Sequence, residues 1–195
     1  MLLNRRPARR LVPLSAAGAL VLSAALVPAA TAAEPLLSIA EVQGTGASTT
    51  YASMLVTVEG VVTADHRTGG YRGIYVQTAG SGGAVDATPG ASDGIFVYLG
   101  SKTTTAALGD TVRVTGTASE YFGLTQISVS GASGVIDVLG AGTLPTPVAL
   151  PATVTGADRE QYEGMLVAPS DDYLVASTHE VERYGTVWLS AGTTP

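Results

Sequence analysis

Ser53–Asp65 reads SMLVTVEGVVTAD, and the spacing of its apolar residues decides the fold class. Met54, Val56, Val58 and Val62 alternate with Thr57, Glu59 and Thr63. That period of two places the two sets on opposite faces of a strand. Valine and threonine also suit the crowded, pleated surface of a sheet. Gly60 interrupts the run, and a glycine inside a long strand permits the sharp bend that a small closed barrel requires.

The same alternation continues downstream. RGIYVQT sets Ile74 and Val76 against Tyr75 and Gln77, and DGIFVYLG sets Ile95, Val97 and Leu99 against Phe96 and Tyr98. GDTVRVTGTAS sets Val112 and Val114 against Arg113 and Thr115, and GLTQISVS and GVIDVLG supply two more short strands. Turns rich in Gly, Asp and Ser separate these runs, and no stretch has a convincing helical stripe. Many short strands without helices imply a sandwich or barrel. A bent first strand, two strands forming a face and a Gly-Asp-led fourth strand predict an all-β chain with an OB-like small barrel over residues 34–143.

The amino terminus reads differently. Arg5, Arg6, Arg9 and Arg10 precede an apolar run from Leu11 to Val27, then Pro28 and the small residues AATAA. A basic segment, an apolar segment and an A-x-A-like site make a secretory signal peptide over residues 1–33, cleaved after Ala32 or Ala33. The expected mature protein is secreted and extracellular, with no membrane segment. All 16 acidic residues lie after Ala33 but only six of the 10 Lys and Arg, so the chain beyond the leader carries a net charge of −10. That balance opposes tight nonspecific binding to phosphate backbones, which depends on basic patches. The absence of cysteine excludes a disulfide framework.

The sequence also repeats itself. YASMLV at Tyr51–Val56 matches YEGMLV at Tyr162–Val167, and RGIYVQTAG at Arg72–Gly80 matches YGTVWLSAG at Tyr184–Gly192. The spacing from Tyr51 to Gly73 is 22 and from Tyr162 to Gly185 is 23. This predicts the truncated start of a second, similar β unit over residues 158–195, with the Pro-rich stretch 144–157 as linker.

Candidate site residues follow from the barrel reading. If Ile74, Val76, Ile95, Val97 and Leu99 point inward, Tyr75, Phe96 and Tyr98 point outward from adjacent strands. Outward rings there can stack the bases of single-stranded nucleic acid, and Arg72 and Arg113 are candidates to touch its phosphates. The competing expectation is that these rings are buried under the long 79–92 loop or against the next unit. Tyr121 and Phe122 precede Gly123 as at a strand-to-strand bend, where rings commonly plug a barrel end. Asp86 and Asp93 are weak candidates for a calcium site, because the flanking Gly, Ala and Ser add no further carboxylate. His66 and His179 sit in polar turns, and no catalytic nucleophile or phosphate-cradling motif is present in the sequence.

VEGVVTAD, SDGIFVYLG, LGDTVRVTGTASEYFGLTQIS, LPTPVALP, EQYEGMLV and ERYGTVWLSAG resemble the amino-terminal region of secreted bacterial extracellular endonucleases. The resemblance covers essentially all of the chain beyond the leader. It implies one or more OB-like modules ahead of a domain of the endonuclease/exonuclease/phosphatase type, which hydrolyses DNA or nucleic acid more broadly. It implies a divalent cation, Mg or Ca, in that later domain and no cofactor in this chain. It also implies two partners, nucleic acid and the downstream catalytic domain of the same polypeptide. The alternative is a stand-alone extracellular barrel that binds a protein, glycan or surface polymer through its aromatic face.

Overall fold

The computed structural model describes residues 35–83 and 88–192, so the expected leader and Asp86 lie outside the described residues. The chain is all-β, with one large sheet and two small ones. The large sheet contains β1 (Leu36–Leu37), β2 (Leu55–His66), β3 (Gly73–Gln77), β4 (Gly94–Tyr98), β5 (Asp110–Tyr121), β6 (Leu124–Ser128) and β7 (Val135–Ala141).

Five of these strands form a closed circuit of pairings. β2 pairs antiparallel with β3, β3 with β4, and β5 with both β6 and β2, while β4 and β6 run parallel. The two 12-residue strands make this possible because each serves more than one neighbour. Leu55–Val61 pairs with Thr111–Thr117 of β5, and from Val61 onward the other edge of β2 pairs with β3. Gly60 stands at that change of partner. A Cβ there would fall 2.6 Å from the Gln77 carbonyl oxygen, so the glycine allows β3 its close approach. β1 adds parallel to β2 and β7 antiparallel to β5 outside the circuit.

The circuit encloses the side chains that alternation places inward. Val56, Val58, Val62, Ile74, Val76, Ile95, Val97, Leu99, Val112, Val114 and Ile127 form one buried cluster. Met54, expected on the same face, is exposed because it precedes β2 in a turn. A short helix absent from the expectation, α1 (Ile39–Gln43), adds Ile39 and Val42 to the core and packs against β2 and β4. Its sequence signal is Ser38-x-x-Glu41. The Glu41 N–H donates to the Ser38 hydroxyl (3.1 Å) and the Ser38 N–H donates to the Glu41 carboxylate (2.8 Å).

The Pro-rich stretch carries β8 (Val148–Leu150), which pairs parallel with β9 (Val167–Pro169). Between them a 3₁₀ helix (Gly156–Tyr162) leads into Glu163–Leu166, a strap laid across the barrel. The Ser92 hydroxyl donates to the Glu163 carbonyl (2.5 Å), the Thr125 N–H to the Glu163 carboxylate (2.8 Å), and the Leu166 N–H to the Gln77 side-chain oxygen (2.8 Å). The strap lies so close that a Cβ on Gly94 would come within 2.6 Å of the Met165 nitrogen. Beyond it, β10 (Tyr173–Ser177) and β11 (Trp188–Ala191) form an antiparallel hairpin around α2 (Val181–Tyr184). Among the described residues no helix is long and apolar enough to cross a membrane.

Ile127→Ala removes a fully buried side chain and should cost about 2–5 kcal/mol in denaturant unfolding. Val135→Ala, on the exposed β7, should change stability by no more than about 0.5 kcal/mol. Burial pushes the Glu163 carboxyl up to about 7, aided by Glu160 and Glu120 and opposed by hydrogen bonds from Thr125 and Gln43. A raised folded value favours the protonated form, so its stabilising share is full below the ordinary value of 4.5 and is lost as pH rises through about 7. Thermal melts of Glu163→Gln should match the unsubstituted protein near pH 4.5 and exceed it at about pH 8.

Candidate ligand-binding cleft

Because β3 and β4 lie side by side, their outward residues meet on one face. Tyr75 and Phe96 are directly paired, with ring centroids 5.0 Å apart. Tyr71, in the β2–β3 loop, adds an edge contact to Phe96 at 6.4 Å. His66, at the end of β2, meets Tyr71 at 5.8 Å and Tyr75 at 5.7 Å. His66 is therefore a member of an aromatic cluster and not a solvated turn residue. Burial raises the Tyr75 phenol, with smaller contributions from Tyr71 and Glu163.

The outward rings are not equally accessible. Phe96 is only 3% exposed, which corrects its assignment as a free stacking surface. Its ring lies over Gly73 and packs against Tyr71 and Tyr75. Tyr75 is half-buried and faces Gly164–Leu166 of the strap across a small depression that also includes His66. Tyr98, one pleat further on, remains partly open.

A cleft of about 310 Å³ opens beside Tyr98. Tyr71, Phe96 and Tyr98 line one wall, Tyr121, Leu124 and Gln126 of β5 and β6 another, and Tyr184 of α2 closes it with Gly70. The elements that place these residues are the β2–β3 loop, the β3–β4 face, and the hairpin joining β5 to β6. That hairpin turns through Phe122 and Gly123, with φ of 52° and 81°. Both central residues take positive φ, as the tightest hairpin turn requires. The rings of Tyr121 and Phe122 stack edge-on at 4.7 Å and are 60% and 95% exposed. They project from the barrel and do not plug its end. A phenylalanine held in left-handed backbone and almost wholly in water is costly, and such strain gathers at functional surfaces.

The basic candidates divide. Arg72 is exposed next to Tyr71, and Arg183 lies over the Tyr184 ring with its guanidinium carbon 5.0 Å from the centroid. Sequence reading did not single out Arg183. Arg113 belongs elsewhere, because β5 pairs with β2, β6 and β7 and not with β3 or β4. Its Nε donates to Glu59 on β2 (2.7 Å), and the two side chains form an ion pair. Arg67 is similarly taken by Asp65, whose carboxyl falls to about 2 chiefly through hydrogen bonds from that guanidinium and backbone N–H.

Of the weak metal candidates, Asp86 lies outside the described residues. Asp93 is buried at the start of β4, where its carbonyl accepts from the Thr78 N–H (2.9 Å). Among the described residues no group of three or more His, Cys, Asp or Glu is placed to hold a metal ion. Comparison with known protein families, curated proteins and solved structures returns no match for this chain.

The turn strain is testable directly. Phe122→Asn should relieve the left-handed cost and gain up to about 1 kcal/mol in denaturant unfolding. If the exposed ring serves a ligand, the same substitution weakens binding in a titration while stability rises.

Proposed function

We propose that this chain is the secreted, non-catalytic front part of a metal-dependent nuclease, and that its barrel holds single-stranded nucleic acid for a catalytic domain outside this chain. The observation that carries the reading is the ring-lined cleft over β3, β4 and the β5–β6 hairpin, with Arg183 over the Tyr184 ring that lines it. A five-stranded circuit ordered β2-β3-β4-β6-β5 and closed by β2–β5 supports the OB-like description. On such barrels ligands lie over the second and third strands and the loops flanking them, where this cleft opens. The resemblance of EYFGLTQ and YEGMLV to secreted endonucleases supplies the nuclease context, and the amino-terminal leader supplies export.

The chemistry suits the ligand. Every base offers a flat face to a tyrosine, so stacking tolerates sequence, and an arginine on a ring can also reach a phosphate. Hydrolysis requires a metal- or base-activated water, a role this reading leaves to the downstream domain. A second reading is favoured by the net charge of −10 beyond the leader. On that reading the cleft of a stand-alone module stacks the sugar rings of a glycan.

Anisotropy titration of a labelled single-stranded oligonucleotide separates the two. Tyr98→Ala should weaken binding by roughly 1–3 kcal/mol. Two arginine–phosphate contacts should give a log–log salt slope of about −1.4. Salt-independent binding of a neutral oligosaccharide, with no oligonucleotide binding, would instead establish the glycan module.

A further inference from the structure

The second hairpin copies the first residue for residue. In β2–β3, Val62 pairs with Val76 and Ala64 with Tyr75, leaving Thr63 as a bulge. In β10–β11, Val175 pairs with Leu189 and Ser177 with Trp188, leaving Ala176 as a bulge. Each of these four paired positions lies 113 residues after its counterpart. The same offset carries His66 to His179, Tyr71 to Tyr184 and Tyr75 to Trp188. The spacing His-x₄-Tyr-x₃-aromatic therefore occurs twice, each time on a hairpin with the same bulged register.

In the first copy these three side chains form a ring cluster, of which Tyr71 also lines the cleft. The two copies meet through their equivalent tyrosines, Tyr71 and Tyr184, whose rings touch edge-on at 6.1 Å. The Tyr71 hydroxyl also bonds the Thr186 hydroxyl (2.8 Å). Trp188, the counterpart of Tyr75, is 56% exposed, and Glu180 holds its indole N–H (3.1 Å).

We infer that Trp188 is a second stacking position for the same nucleic-acid strand, reached from the first cleft across the Tyr71–Tyr184 contact. Arg183, seated on the Tyr184 ring that lines the first cleft, is the cation available to a phosphate of that strand. This rests on the nucleic-acid reading proposed above and extends it from a single cleft to a track shared by both repeats. The occupant is an anionic strand of linked planar rings, because rings recur along the path and a cation sits on one of them.

Trp188 is the single tryptophan of the chain, so intrinsic tryptophan emission reports on this position alone. Titration with an oligonucleotide of about 12 nucleotides should quench that emission saturably, in step with the anisotropy curve. A dinucleotide should occupy the first cleft and leave the emission unchanged. Trp188→Ala should weaken binding of the longer strand about 5- to 150-fold, with Trp188→Phe restoring most of it and circular dichroism unchanged in both. Oligonucleotide binding with unaltered Trp188 emission, and equal affinity for Trp188→Ala, overturns the inference while leaving the cleft reading intact. Quenching by a neutral oligosaccharide alone overturns the nucleic-acid occupant at both positions. Absence of any oligonucleotide binding in anisotropy removes the cleft reading and this one together.

Discussion

The pairing of β2 with β5 is the contact on which the rest of the molecule depends. Its register runs unbroken from Leu55 opposite Thr117 to Val61 opposite Thr111. It joins the two ends of the β3-β4-β6 series and turns a curled sheet into a closed circuit. Slipping it by one residue would turn Val56 and Val58 outward and bring Thr57 and Glu59 into the core. Closure leaves none of the five strands in the circuit as a free edge along its paired length, which blunts edge-to-edge association there. Because β2 leaves β5 at the point where it takes up β3, the bend at Gly60 and the register at Val61 form one constraint.

That constraint places the strap and the cleft. With β3 and β4 held side by side, the Gln77 side chain and the glycine surface of Gly94 meet the strap. Glu163 ties that strap to the N–H of Thr125 on β6. The same arrangement brings Tyr71, Tyr75 and Phe96 into a single stack, with Phe96 at its base. A buried ring there holds the neighbouring tyrosines in place, so Phe96 shapes the cleft even though little of it reaches solvent. Tyr98 and Tyr121 remain available because they stand on the rim.

Alternation made the inner face of the large sheet legible: Ile74, Val76, Ile95, Val97 and Leu99 are buried as their spacing requires. The same rule put Phe96 on the outer face but was silent on what covers that face. Part of its packing comes from Tyr71 in a loop, which periodicity cannot place, and part from Tyr75, whose direct pairing with Phe96 needs the strand register. Arg113 has the expected outward direction, yet ring closure carries β5 to the opposite side of β2 from β3, and Glu59 is its cross-strand partner. α1 was missed because five residues are too few to show a helical stripe, although its capping pair was visible. The repeat was legible in YASMLV and YEGMLV, but the matching TAG and SAG endings aligned Tyr75 with Val187. The strand register aligns it with Trp188, and the aromatic correspondence emerges only from that shift.

Charge sets the scale on which such a cleft can act. A net charge of −10 after Ala33 gives no long-range pull on a polyanion, and screening confines the arginines to about 8–10 Å at ordinary ionic strength. Glu180 and Glu182 stand beside Trp188 and Arg183, so any attraction there is local and tied to ring contact. Recognition under these conditions is short-ranged: a strand must already be near before tyrosine faces and guanidinium groups can hold it. A weak, contact-limited site captures little from dilute solution. Tethered to a domain that already holds the polymer, the same site works at an effective concentration in the millimolar range for short flexible linkers. On the proposed nucleic-acid reading, acidity and a ring-lined cleft are compatible: the module would orient a strand held elsewhere and bind it only on contact.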